Sequence, residues 1–456
     1  MSTIASISTA PGIGGIGIIR MSGEKSFEIL KKIFKPKTEQ SIDKIKGYTM
    51  KYGHIVKNNE IIDEVLVSYF KAPSSYTTEN MCEINSHGGN IVVKKILEMC
   101  LENGANLAEP GEFTKRAFLN GRIDLAQAES VIDVINAKSE KEAKSGIKQL
   151  EGYLSSEIRE IKQEILDVLV NIEVTIDYPE YDTPEVQEKE IMKMLESVGN
   201  KLEKLEKSFD NGKIIKDGIK TAIIGKPNAG KSSLLNAILK EDRAIVTDIE
   251  GTTRDTIEEF VTINGIPLNL VDTAGIRKAS DEVEKIGVEK SIKQAKDADL
   301  IIAIFDSSKD LTDEDLKILE LIKNKKSIIL LNKSDLNAKI DENDSRFTDI
   351  TENIIKISAL NKTGIDLLYE KISNMFNLNE INLDNDILIT NIRHKNIISK
   401  SLDNVKKSKE ALEMNLPIDI ITIYIKNILE DLGEITGEVV TEDIINEIFS
   451  KFCLGK

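Results

Sequence analysis

The 456-residue chain has no tryptophan, three cysteines and nine prolines, and aromatic side chains make up only 5% of it. Cys82, Cys100 and Cys453 lie far apart and form no Cys-x-x-Cys pair. That excludes a disulfide framework and a zinc ribbon; a reducing compartment fits, and a cytoplasmic location is expected. Long apolar runs are also missing. Stretches such as residues 327–331 are far too short to cross a bilayer, so no membrane partner is expected. The opening MSTIASISTAPG has neither a basic start nor an apolar centre, unlike a signal peptide. Basic charge is outweighed: 61 Lys and Arg face 77 Asp and Glu, a net of −16. This excludes a protein that coats nucleic acid by bulk charge and leaves only a local patch for RNA contact.

What is present is ordinary for a globular protein, 40% apolar and 30% charged. At roughly 150 residues per domain, the length predicts about three domains. Charge divides unevenly: +2 over residues 1–118, −8 over 119–218, −6 over 219–380 and −4 over 381–456. Residues 1–118 mix short β-rich runs (3–8, 17–21, 64–70) with Gly, Pro, Ser and Thr loops and one helical stretch, 91–103, the pattern of an α+β domain. Residues 119–218 read as helical. Leu150, Leu154, Ile158, Ile161, Ile165, Leu169 and Ile172 recur at steps of three and four, one face of a long helix. Tyr178-Pro179 and Thr183-Pro184 break it. A second helix carries Ile191, Met194, Leu195, Val198, Leu202, Leu205 and Phe209, and should stop at Asn211-Gly212. In residues 219–380, the runs 219–224, 266–271, 300–305 and 327–331 read as buried parallel strands. Residues 381–456 return to helices, with Val439, Val440, Ile444, Ile445, Ile448, Phe449 and Phe452 on one face. The expected fold class is multidomain. It combines an α+β N-terminal domain (1–118), an all-α helical domain in two parts (119–218 and 381–456), and an inserted α/β domain (219–380). Segments 210–218 and 377–385 would be its hinges.

The inserted segment carries the clearest chemistry. Residues 225–232 read Gly-Lys-Pro-Asn-Ala-Gly-Lys-Ser, after a strand and before a helical run. This is a P-loop pattern, whose glycines let backbone N–H groups turn inward around phosphate. Lys231 can neutralise β- and γ-phosphate oxygens and Ser232 can hold Mg²⁺. Asp272-Thr273-Ala274-Gly275 ends the second buried strand. There Asp272 is placed to reach Mg²⁺ through water, and the Gly275 N–H to reach the γ-phosphate. Asn332-Lys333-Ser334-Asp335 ends another strand. A buried Asp335 carboxylate would accept two guanine N–H groups and reject adenine, which lacks that donor pair. Ser358-Ala359-Leu360 follows strand 354–357, placing a backbone N–H for the guanine carbonyl. Gly251-Thr252-Thr253-Arg254-Asp255 supplies a threonine to Mg²⁺, assigned to Thr253. Four motifs in order, each at a strand end, mark a Ras-like P-loop GTPase domain.

Two departures bear on mechanism. Ile276 stands where Ras-like proteins carry the water-orienting glutamine, and an apolar side chain cannot orient water. The run Asp281-Glu282-Val283-Glu284 reads as a solvated acidic loop or as the source of a distant water-orienting carboxylate. Asn228 reads either as a turn former or as a ligand for a monovalent cation near the β/γ bridge.

Over essentially its whole length the chain resembles the MnmE (TrmE) family of tRNA-modifying GTPases. The resemblance rests on PGIGGIGIIRMSG at 11–23, Ser75-Tyr76-Thr77 continuing to His87-Gly88-Gly89, Pro110-Gly111-Glu112-Phe113-Thr114 continuing to Leu119-Asn120-Gly121-Arg122, the Gly251-Thr252-Thr253-Arg254-Asp255 loop, and the closing Phe452-Cys453-Leu454-Gly455-Lys456. It implies a folate-binding, dimerising N-terminal domain. It implies GTP contacts from Asn228, Ala229, Gly230, Lys231, Ser232 and Ser233. Further contacts would come from Thr247, Asp248, Ile249, Glu250, Gly251, Thr252 and Thr253, from Asp272, Thr273, Ala274 and Gly275, and from Asn332, Lys333, Asp335, Ser358, Ala359 and Leu360. It implies K⁺ held by Asn228, Thr247, Ile249 and Thr252, which brings two G domains together and stands in for an arginine finger, with Glu284 orienting water. Arg20, Glu83, Arg122 and Lys456 match folate-contacting positions, for 5-formyl- or methylene-tetrahydrofolate. Lys is also common at the position of Arg122, with a different shape for the same charge. Cys453 matches a cysteine implicated in the modification; the alternative from residue type alone is a small buried apolar residue on the last helix. The reaction implied modifies wobble uridine (U34) at carbon 5 of certain tRNAs, yielding a carboxymethylaminomethyl or aminomethyl group. It would involve a homodimer and a flavin partner, MnmG, in a heterotetramer or larger complex, with FAD only through that partner.

Other patterns point elsewhere. Residues 11–17 lack the strand–loop–helix setting of a dinucleotide loop. His87 is expected to be structural, and Tyr52 and Tyr76 to pack rather than stack a base. The competing function is a GTP-regulated ribosome-assembly or scaffold switch. It would append an RNA-binding module, and no Gly-x-x-Gly clamp with a basic surround follows residue 380.

Overall fold

The computed structural model describes residues 2–38, 47–177, 184–239, 259–270, 298–348, 350, 352–379 and 387–456. They pack as two compact units. One is Met1–Ile132, Lys148–Gly199 and Ile397–Lys456; the other is Asp133–Ile147 and Asn200–Asn396.

The first unit holds strands β1 (Ile4–Ile7), β2 (Gly17–Ser22), β3 (Phe34–Pro36), β4 (Thr49–Lys57), β5 (Glu60–Phe70), β6 (Met81–Ser86) and β7 (Asn106–Leu107). They form one sheet in the order β3-β4-β5-β6-β2-β1-β7, antiparallel except for β1 and β7. Helices α1 (Ser26–Ile33) and α2 (Asn90–Glu102) supply Ile29, Leu30, Ile96 and Met99 to a core with Ile19, Met21, Val67 and Ile84. Each such side chain removed from water contributes about 1.5–3 kcal/mol. Residues 11–17 connect two antiparallel strands, so no dinucleotide-type loop forms. Helices α3 (Glu112–Leu119) and α4 (Leu125–Asn136) follow.

The apolar periodicity from Leu150 to Ile172 spans two helices, α5 (Glu140–Leu150) and α6 (Tyr153–Asp177). Gly152, at φ +87, turns the chain between them, and Gln127 Nε2 donates to the orphaned Leu150 carbonyl at 2.8 Å. Leu154 through Ile172 on α6 are buried as expected. Helix α7 (Pro184–Asp217) buries Ile191 through Phe209 but does not stop at Asn211-Gly212. A Cβ on Gly212 would lie 2.0 Å from the Ile389 carbonyl oxygen, so this glycine admits a crossing backbone rather than ending the helix. The terminator is Gly218, at φ +70. Residues 210–217 are therefore helix, not a polar linker.

The second unit is built on β8 (Ile219–Ile224), β9 (Glu259–Ile263), β10 (Ile266–Leu270), β11 (Leu300–Asp306), β12 (Ser327–Asn332) and β13 (Ile354–Lys356), in the order β13-β12-β11-β8-β10-β9. All pairs are parallel except the β9–β10 hairpin. Its helices are α8 (Lys231–Leu239), α9 (Asp313–Ile322), α10 (Ser345–Thr348) and α11 (Ile365–Met375). Alternate strand residues feed opposite faces. Leu300, Ile302 and Ile304 pack with Leu234 of α8 and Leu368 of α11. Ile301, Ala303 and Phe305 pack with Leu319 and Ile322 of α9. Burial on both faces is why these strands read as continuous apolar runs.

The chain closes with α12 (Ile392–Glu413), α13 (Ile418–Thr436) and α14 (Glu442–Ser450). Phe449 and Phe452 are buried, but Val439 and Ile444 are exposed, so the apolar face is narrower than its periodicity suggests. No helix among the described residues is long and apolar enough to cross a membrane.

Candidate functional site

The C-terminal edge of the parallel sheet gathers three of the four nucleotide motifs. β8 runs into the loop 225–230 and then α8, so Ser232 and Ser233 sit in the first helical turn. Lys231 Nζ donates to the Gly225 and Lys226 carbonyls at 2.7 and 2.8 Å and spans the loop. Asn228 is exposed at φ 62, a left-handed conformation that asparagine tolerates better than most residues. Gly230 has φ +107, and a Cβ there would lie 2.0 Å from Asn332 Nδ2. The loop thus keeps the backbone geometry of a phosphate cradle only with glycine at 230.

Asn332 locks the motifs together. It is 2% exposed; Nδ2 donates to the Ala229 carbonyl at 2.8 Å, and Oδ1 accepts from the Ala359 N–H at 3.0 Å. Asp335 is exposed on the turn beyond β12, not buried, because that turn leaves the sheet edge. Its Oδ1 accepts from Ser358 Oγ at 2.5 Å, and Ser358 Oγ in turn accepts from the Asn361 N–H at 3.2 Å. Leu360 stands 79% exposed beside them.

Two supports were not evident from the motifs. Lys333 Nζ pairs with Asp306 Oδ2 at 2.7 Å. Burial alone would push the Asp306 carboxyl up, but hydrogen bonds from Lys333 and Ser308 outweigh it and hold the group below its ordinary value. Lys226 Nζ reaches Asp315 at 2.5 Å and Thr312 Oγ1 at 2.8 Å, tethering the phosphate loop to the start of α9. An acidic residue ending a buried strand was the only available signal for the first. Thr247, Asp248, Ile249, Glu250, Gly251, Thr252, Thr253, Asp272, Thr273, Ala274, Gly275 and Glu284 lie outside the described residues.

A second constellation forms in the other unit. The β2–β6 register sets Arg20 opposite Glu83. Arg20 Nε and Nη2 both reach Glu83 Oε1, at 2.9 and 2.8 Å, and Nη1 reaches the Gly455 carbonyl at 3.3 Å. The last residues complete the start of α3: the Gly111 and Phe113 N–H groups donate to the Cys453 and Lys456 carbonyls at 3.4 and 3.2 Å. Lys456 is half-buried, and burial followed by the nearby Arg20 charge lowers its ammonium pKa. Cys453 lies beyond α14 and is exposed, not a small buried residue of the last helix. Tyr76 is half-buried, with the Arg122 and Arg20 guanidinium carbons 4.5 and 5.5 Å from its ring centre. Arg20, Glu83, Arg122, Lys456 and Cys453 therefore belong to one region, drawn from sequence signatures more than 300 residues apart. His87 is outside it and exposed; its Nδ1 meets Asp63 Oδ1 at 2.7 Å, and that hydrogen bond and charge raise its pKa.

Residues 3–122 match the family described as "GTP-binding protein TrmE N-terminus", and residues 125–453 that described as "MnmE helical domain". The tRNA modification GTPase MnmE of Clostridioides difficile (strain 630) is 51% identical over 456 residues, covering 100% of this chain and 99% of that protein. The protein of the same name from Finegoldia magna is 52% identical over 453 residues, 99% of each. Among solved structures, the G domain of the T. maritima FeoB iron transporter is 27% identical, with a TM-score of 0.26, over 34% of this chain and 98% of that one. Full-length identity at this level, together with two family matches that span nearly every residue, places the chain in the tRNA modification GTPase MnmE family.

Proposed function

We propose that this chain hydrolyses GTP to GDP and phosphate in the service of tRNA modification, with a helical domain split around an inserted G domain (219–380). The observation that carries the reading is the Asn332 bridge, which joins the phosphate loop to the Ser-Ala-Leu loop. A bound nucleotide would touch both loops at once, its phosphates at Gly230, Lys231 and Ser232 and its base at Asp335 and Ala359. Gly230, where a Cβ would meet Asn332 Nδ2 at 2.0 Å, lets the loop backbone lie against that bridge, and a glycine-rich loop of this kind suits a phosphate. Mg²⁺, held by Ser232 and Thr253, would neutralise β- and γ-phosphate charge when bound. Lys231, whose Nζ spans the loop to the Gly225 and Lys226 carbonyls, would neutralise the same oxygens.

The finer proposal has K⁺ at Asn228, Thr247, Ile249 and Thr252 drive G-domain dimerisation, with Glu284 orienting water where Ile276 cannot. Tetrahydrofolate would occupy the region of Arg20, Glu83, Arg122 and Lys456, whose mix of three cations and one carboxylate suits a ligand carrying both N–H donors and carboxylates. Cys453, exposed beside it, would take part in the modification. A homodimer working with the flavin protein MnmG would act on wobble uridine at carbon 5.

GTP turnover in KCl against NaCl at equal ionic strength, with Asn228→Ala as control, tests the cation. Faster turnover in KCl, lost in the variant, is expected; equal rates in both salts would sink it. Nucleoside analysis of tRNA from a deletion strain tests the biological role. Unchanged wobble uridines would favour the switch or scaffold reading.

A further inference from the structure

The loop carrying Tyr76 and the turn carrying Arg122 are joined at three points. Asn120 Nδ2 donates to the Thr77 carbonyl at 2.6 Å. The Tyr76 hydroxyl hydrogen-bonds Thr114 Oγ1 of α3 at 2.9 Å. The Arg122 guanidinium carbon stands 4.5 Å from the Tyr76 ring centre. The Arg122 backbone is also fixed. Gly121, at φ +72, ends α3, with its N–H on the Phe118 carbonyl and the Arg122 N–H on the Ala117 carbonyl, both at 2.9 Å. This is the double closure of a Schellman turn.

The two arginines near this ring differ in what their donors do. Arg20 is engaged by Glu83 and by the Gly455 carbonyl, with its side chain 15% exposed. Arg122 is exposed, and among the described residues its guanidinium makes no hydrogen bond and no ion pair. An aromatic face supports a guanidinium without consuming any N–H. The planar fork of donors then matches a carboxylate in two parallel bonds, which a lysine ammonium cannot reproduce.

We propose that Tyr76 is a positioning residue whose ring is the platform that presents the Arg122 fork to a ligand carboxylate. This rests on the folate reading, in which the ligand's glutamate carries that carboxylate.

Calorimetric titration of 5-formyltetrahydrofolate into the full-length chain tests it, with Tyr76→Phe, Tyr76→Leu, Arg122→Lys and the Tyr76→Leu/Arg122→Lys double variant. Tyr76→Phe keeps the platform and should bind within about twofold of the parent. Tyr76→Leu and Arg122→Lys should each weaken binding about five- to tenfold, and the double variant no further than either single, since both remove one arrangement. Tetrahydropterin, which lacks the glutamate, should bind the parent and Arg122→Lys equally. Undiminished affinity in Tyr76→Leu or in Arg122→Lys, additive losses in the double variant, or an equal loss for tetrahydropterin would each overturn the platform alone. Arg122 is exposed, so Arg122→Lys serves even if Tyr76→Leu fails to fold. Absence of any binding by the parent chain would instead remove the folate reading, and the platform with it.

Discussion

Replacing Asn332 by alanine removes both ends of the brace between the phosphate loop and the Ser-Ala-Leu loop. The Ala229 carbonyl and the Ala359 N–H would each lose a partner in a site where Asn332 is 2% exposed. Leaving a buried polar group unpaired costs about 1–3 kcal/mol, so two such losses with partial relaxation amount to about 2–4 kcal/mol. Part of this should appear as lower stability of the nucleotide-binding unit, and part as weaker GDP binding, because both loops must hold register for one ligand. A loss of at least about tenfold in GDP affinity is expected, about 1.4 kcal/mol. Binding can be followed with a fluorescent-ribose GDP excited directly, since the chain has no tryptophan to serve as a donor. Stability can be followed by urea unfolding with far-ultraviolet circular dichroism. Leu360→Ala, at a side chain 79% exposed, is the control and should shift stability by less than about 0.5 kcal/mol. An Asn332→Ala variant with the parent's urea midpoint and GDP affinity would refute the brace. Weakened binding at unchanged stability would make Asn332 a direct nucleotide contact instead.

Other sites give independent checks. Gly230→Ala combines a φ of +107 with a Cβ 2.0 Å from Asn332 Nδ2, and should lower GDP and GTP affinity together by at least about tenfold in the same fluorescence assay. Glu142 is buried on α5, and that burial pushes its carboxyl up from 4.5 to about 7, against the hydrogen bond from the Lys138 N–H. The folded chain then holds a proton that the unfolded chain has released between those values, so this group lowers stability as pH rises from about 4.5 to about 7. Glu142→Gln should therefore melt higher than the parent at pH 8 and match it near pH 4; an equal difference at both would contradict the assignment. Arg116, 4% exposed, pairs with Glu79 and Glu112 and donates to the Ser2 carbonyl. Arg116→Met strands those carboxylates and should cost about 3–5 kcal/mol in urea unfolding.

Much of the architecture was legible from local pattern. The apolar runs at β8, β11 and β12 fall where expected because strands buried on both faces need no polar alternation. The phosphate loop was legible because its glycines are set by local backbone geometry. Glycine also misled, since Gly212 reads as a helix stop yet sits inside α7 to let the Ile389 carbonyl approach. The reason for that residue lies in a segment far along the chain, which no local pattern contains. The break at Gly152 and the exposure of Val439 and Ile444 were missed likewise, because periodicity records which residues are apolar and not what covers them.

The same division runs through the sites. Sequence by itself determined the chemistry available: a lysine and serine at a phosphate loop, an Asn-Lys-Ser-Asp motif at a strand end, and the residue types of five separated signatures. Tertiary structure alone decided which of them work together. It turned Asn332 into a brace, gave Lys333 its Asp306 partner, and left Asp335 on an exposed turn. It also brought Arg20, Tyr76, Arg122 and the Cys453–Lys456 end into one region, through a strand register, a helix start and a Schellman turn. Spacing along a chain fixes geometry only over a few residues. Contacts between segments hundreds of residues apart depend on how elements bury their apolar faces, and that is settled only when the whole unit packs.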